Sequence, residues 1–118
     1  MKLRSMGAVI AHRKLTLSRA RTVTVTIGKP KKFRGGNDYY CPYRITGIGQ
    51  EQIGYAGGVD PVQALQHTLM KIGTDLYTSK EAKTGRLRWD AGSTKGDLGF
   101  PVPNAIRDLV PGTSTLGQ

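Results

Sequence analysis

Carboxylates are missing from the first 36 residues, where ten lysines and arginines stand and the first acid comes only at Asp38. The remaining residues hold eight cations against eight acids, so the whole formal net charge of +10 belongs to the amino-terminal third. Cysteine is nearly absent too. Cys41 has no partner for an internal disulfide, and with only His12 and His67 beside it the chain lacks an ordinary structural zinc set. This composition predicts a reducing, cytoplasmic setting with no bound metal or cofactor. Long apolar runs are also wanting: Met6–Ala11 breaks at His12-Arg13-Lys14, too short for a signal core or a membrane span.

Catalytic patterns are missing as well. The glycines of "GIGQEQIG" (Gly47–Gly54) lack dinucleotide-fingerprint spacing and lie between strands instead of between a strand and a helix. No P-loop, nucleophile elbow or paired carboxylate is visible, and neither histidine has a sequence-suggested partner. The expectation is a protein without catalytic residues.

What is present is periodicity. Leu15 and Leu17 alternate with Lys14, Thr16 and Ser18; Val23, Val25 and Ile27 alternate with Thr22, Thr24 and Thr26. That period of two predicts half-buried antiparallel strands over about 8–18 and 22–28. Aligning the apolar rows predicts Leu17 opposite Val23, Leu15 opposite Val25, and a turn at Arg19-Ala20-Arg21. A third strand follows from Tyr39, with Pro42 pointing to an edge or bulge, and a weak fourth over Gln52–Gly58.

Asp60 and Pro61 open a helix whose apolar stripe is Val62, Leu65, Leu69, Ile72 and Leu76. Gly73 falls on that stripe and predicts close approach to the sheet. Thr78–Glu81 has capping-box spacing, "RLRWD" a short-strand pattern, and "GDLGFPVP" the look of an extended segment lying on the core. Tyr43, Tyr55, Tyr77, Trp89 and Phe100 are expected to be core residues, and Cys41 a small buried one. The sum is an α+β domain over residues 1–103, a four-stranded antiparallel meander with one long helix on one face, followed by a tail over 104–118 whose last eight residues, "PGTSTLGQ", have little reason to order.

"CPYRITG" (Cys41–Gly47), "GVDPVQAL" (Gly58–Leu65), "GTDLY" (Gly73–Tyr77), "GRLRW" (Gly85–Trp89) and "GDLGFPVP" (Gly96–Pro103) together resemble a family of small bacterial proteins classed as a domain of unknown function. The likeness spans roughly Ile10–Pro103 and implies a bacterial or phage origin, but no activity and no functional residue. More faintly, two strands followed by an acid-capped helix are similar to the core of HicB-type antitoxins, which cover a small ribonuclease toxin.

The candidate binding residues are therefore cations and their aromatic neighbours: Lys29, Lys31, Lys32 and Arg34 in "GKPKKFRGG", Arg19 and Arg21 at the first turn, Lys14 on the threonine face, and Phe33, Tyr39 and Tyr40 as stacking faces. Concentrated positive charge attracts polyanions. The partner expected is an acidic protein surface, bound by an antitoxin-, immunity- or inhibitor-like module; nucleic acid, gripped by interleaved charge and stacking, is the alternative.

Overall fold

The computed structural model describes residues 1–92 and 94–111. Strands β1 (Val9–Leu17), β2 (Arg21–Gly28), β3 (Lys31–Lys32), β4 (Tyr39–Thr46) and β5 (Gly54–Gly58) precede helix α1 (Pro61–Tyr77). A short helix α2 (Lys80–Lys83), strand β6 (Leu87–Arg88) and a 3-10 turn at Asn104–Leu109 follow. The architecture is α+β, with the antiparallel sheet in one layer and α1 in the other. β1 lies between β2 and β6; β4 carries β2 and β3 on one edge and β5 on the other.

The alternation of β1 and β2 does separate two faces, but the register differs from the expected one by two residues. Leu15 lies opposite Val23 and Arg13 opposite Val25, with Ser18–Ala20 as the turn. A slip of two preserves both faces, so the pattern alone could not distinguish the two registers. The turn decides between them: Arg19 and Ala20 both take positive φ, near 65° and 63°, a conformation that side chains normally disfavour.

Pro42 lies in an interior strand, not at an edge or bulge. Thr68 Oγ1 donates to Cys41 O at 2.7 Å and accepts from Ala56 N at 3.2 Å, so the Cys41 carbonyl faces β5. Successive strand residues turn their polar groups to alternate sides, and the nitrogen of Pro42 therefore faces the opposite edge. There β2 has ended at Gly28 and β3 has not begun, so no ladder bond is lost.

Asp60 caps α1, its Oδ1 accepting from Gln63 N at 2.8 Å. The buried stripe is rotated from the one expected. Ala64, Thr68, Ile72, Gly73 and Leu76 are buried, Leu65 and Leu69 pack partly, and Val62 is 63% exposed. Thr68 can be buried because its hydroxyl is satisfied in both directions by the β4–β5 ladder. After α1 the cap is Ser79, which accepts from Ala82 N, one residue later than the Thr78–Glu81 spacing suggested.

Gly73 meets the carboxy-terminal segment instead of the sheet: a side chain there would strike Pro101 O and Val102. Leu98 and Phe100 of that segment are buried in the core. Tyr77 anchors it by accepting from Leu98 N at 2.8 Å, and Arg13 holds it from the opposite side. Residues 112–118, seven of the fifteen in the expected tail, lie outside the described residues, whereas Asn104–Leu109 form the 3-10 turn.

Candidate interaction face

Odd-numbered residues of β1, β2 and β4 supply the core: Leu15, Leu17, Val23, Val25, Ile27, Cys41, Tyr43 and Ile45 are all buried. Their even-numbered neighbours form the face turned away from α1. The registers arrange that face in rows across the strands: Thr16 with Thr22, then Lys14 with Thr24 and Thr46, then His12 with Thr26 and Arg44. Beyond these come Lys31 with Tyr40 and Gly57.

Among the described residues, no strand of this sheet contains an Asp or Glu. The acids lie in connections, in the helices and towards the carboxy terminus: Glu51 accepts from Gly47 N in the β4–β5 turn, Asp60 caps α1, Asp75 bonds Tyr43, and Asp97 accepts from Gly99 N. Among the described residues, none of Lys14, Arg19, Arg21, Lys29, Lys31, Lys32 and Arg34 forms an ion pair within 4.0 Å. Their charge is left to solvent and to whatever approaches.

The structure divides the sequence-predicted candidates. Lys14 and Lys31 share the open face, whereas Lys32, opposite Tyr39, takes the other side of the sheet. Arg34 sits in the exposed connection after β3, and Lys29 where β2 ends, its N–H donating to Ala8 O at 2.8 Å. Arg19 and Arg21 lie at the far end of β2, about 23 Å from Gly28 at the rise of an extended strand.

The aromatic group differs from the expected one in two members. Phe33 packs on Tyr40 and Tyr55, with ring centroids 5.1 and 6.1 Å away. Tyr40 and Tyr55 lie 6.0 Å apart. Tyr39 instead faces the core, against which it packs, and Tyr55 belongs to the open face, not to the core. Alternation explains both: Tyr39 shares the parity of Cys41 and Tyr43, and Tyr55 is the partner of Pro42.

Arg44 is the functional candidate that sequence reasoning missed. It projects from the middle of the open face, and its Nε is buried without a hydrogen-bond partner. The signal was available in "YYCPYRIT", where Arg44 sits between buried Tyr43 and Ile45. Arg13, one of the ten amino-terminal cations, is withdrawn from the surface. Its guanidinium lies 4.0 Å from the Trp89 ring centre and 4.7 Å from that of Phe100, and donates to Leu98 O at 3.3 Å and Gly99 O at 3.0 Å. Gly99 has no side chain because Trp89 and Arg13 occupy that space.

On the opposite side, a cleft of about 340 Å³ runs between the β4–β5 turn and the end of α1, lined by Ile45, Ile48, Gln50, Asp75, Ser79 and Glu81 among others. Tyr43 reaches Asp75 from the core and donates to its carboxylate. Burial, with Asp75 alongside, pushes the Tyr43 phenol well above its ordinary value, so it stays protonated as a tie between β4 and α1. His67 is exposed on α1 and bonds Gly57 O through Nδ1 at 2.8 Å, covering the β5 edge together with Lys71, which donates to Tyr55 O. Cys41 is buried, its thiol donating to Gly28 O, and burial pushes its pKa upward. No helix among the described residues is long and apolar enough to cross a membrane.

The chain belongs to the family described as Domain of unknown function (DUF6968), whose model matches residues 11–102. No curated protein and no solved structure matches it.

Proposed function

We propose that this protein is a non-enzymatic interaction module that binds an acidic protein through the open face of its sheet. The observation carrying the proposal is the segregation of charge: six strands without one carboxylate, and a face with unpaired Lys14 and Lys31 around central Arg44. Acid-free surfaces of this kind steer acidic partners and exclude basic ones. The threonine rows give a flat, hydroxyl-bearing ground between the cations.

The aromatic trio favours a protein partner over a nucleic acid. Phe33, Tyr40 and Tyr55 are half-buried and turned on one another, whereas single strands are gripped by ring faces left free for bases.

The test is capture on immobilised protein from a nuclease-treated lysate of the native host, beside the exposed double variant Lys14→Glu/Lys31→Glu. The proposal expects one stoichiometric acidic protein on the wild type and its loss on the variant. Retention of nucleic acid alone, abolished by nuclease, supports the alternative and overturns the proposal, as does a partner held equally by both proteins.

A further inference from the structure

The two edges of the sheet are treated differently. The β5 edge is covered by α1, whose His67 and Lys71 bond Gly57 O and Tyr55 O. The β1 edge is not. β6 pairs only with Thr16 and Leu17, so that among the described residues Val9–Leu15 have no strand along their outer side. Val9 and Ile10 at the start of this stretch are 54% and 50% exposed. An unpaired edge of this length is a template for another strand.

Beside it lies a groove of about 260 Å³ bounded by Ala11, His12, Ile27, Leu69, Phe100 and Pro101, among others. Ala11 lies opposite Ile27 on the core face and His12 opposite Thr26 on the open face. Because both line one groove, the groove wraps around the edge of β1. Small Ala11 creates the room, while Leu69 and Phe100 make its floor apolar.

We infer that the β1 edge accepts an extended acidic segment of a protein partner as an added strand, with acidic and apolar residues alternating. Pairing supplies main-chain hydrogen bonds, and period two supplies the specificity. A residue opposite Ala11 turns into the groove and is apolar; the residues opposite His12 and Lys14 turn to the open face and are acidic. Charge selects this occupant over a second copy of the chain, because pairing β1 with itself would bring the exposed Lys14 of both copies to one edge on a protein of net charge +10. The inference rests on the acidic-partner proposal and adds where the partner's backbone runs.

The probe is a short labelled peptide of alternating Glu and Val, followed by fluorescence anisotropy and by amide exchange of the protein. Three comparisons accompany it: a block peptide with the glutamates and valines segregated, peptides N-methylated at alternate amides in either phase, and the Ala11→Phe variant, which fills the groove at an exposed position. Expected are preferential binding of the alternating peptide, slowed exchange at β1 amides, loss of binding with one of the two methylated phases, and at least about tenfold weaker binding to Ala11→Phe. Absent binding, or binding unaffected by methylation in both phases, overturns the inference. If the block peptide binds as well, with shifts at Lys14, Thr24 and Arg44 and none along the β1 edge, the edge site fails while the open-face proposal stands. If the alternating peptide protects β1 but the Lys14→Glu/Lys31→Glu variant retains its captured partner, the open-face proposal fails instead.

Discussion

Two faces of one sheet are spelled by alternate residues of the same strands and have opposite physical fates. On one, Leu15, Val23, Val25 and Ile45 join Ile72, Leu76, Leu98 and Phe100 in one core cluster and are shut from water. On the other, Lys14 is exposed and Thr24, Thr26 and Thr46 are half-buried in threonine rows, Thr46 Oγ1 donating to Thr24 O. Arg13 shows that parity outranks residue type. A cation on a core-facing position was not expelled; the fold built Trp89, Phe100 and two carbonyl acceptors around it. The lesson is that charge counted along a sequence overstates charge offered to a partner.

The comparison is broken most severely by truncating the buried face. Leu15→Ala should cost about 2–5 kcal/mol in urea unfolding, whereas Lys14→Ala, one residue away, should stay within about 0.5 kcal/mol. Equal costs would mean the faces are not as distinct as described. Next comes Arg13→Ala, which removes stacking on two rings and leaves the Leu98 and Gly99 carbonyls without their donor. A loss of about 2 kcal/mol is expected, with only partial recovery in Arg13→Lys because an ammonium cannot reproduce the planar stack. Full rescue by lysine would contradict the clamp.

A smaller effect sharpens the link between β4 and α1. Tyr43→Phe should lose about 1 kcal/mol at neutral pH. The phenols of Tyr43 and Tyr77 and the thiol of Cys41 are all raised in the fold, so the folded state favours their protonated forms. Their contribution is complete below the unfolded-state values, 9.0 for Cys41 and 10.0 for the tyrosines, and is lost as pH climbs through the raised folded values. Stability should therefore hold level up to about pH 9 and then decline, less steeply in Tyr43→Phe. Thermal melts across that range check both the sign and the slope. Smallest of all, Ala20→Gly should stabilise by about 0.5–1 kcal/mol by relieving a positive φ at the hairpin turn. A loss would mean the turn is held by more than local geometry.

Much of this was legible beforehand, because alternation and helix capping are local. The strands of the first hairpin, the Asp60 cap, buried Leu98 and Phe100, and the α+β layering follow from residue spacing within a few positions. Features set by non-local packing were not. A two-residue change of register leaves each face intact, so Leu15 opposite Val23 depended on a strained turn that composition does not advertise. Gly73 marked a close approach, yet only the fold shows that the neighbour is Pro101. The candidate site was half legible. Lys14, Lys31, Phe33 and Tyr40 do share the open face, but proximity in sequence groups Tyr39 with Tyr40 while parity turns it inward, and Arg44 lies outside the basic third of the chain, where a count of charge does not reach it.

The surface itself can be interrogated without knowing the partner. Titrating isotope-labelled protein with poly-L-glutamate at near-physiological ionic strength, and following each backbone amide, reports where negative charge settles. The account predicts that the largest shifts fall together on Lys14, Thr24, Lys31, Arg44 and Thr46, with α1 silent. Shifts confined to the Arg19 turn and to Lys29, Lys32 and Arg34, or scattered over the helix, would contradict it.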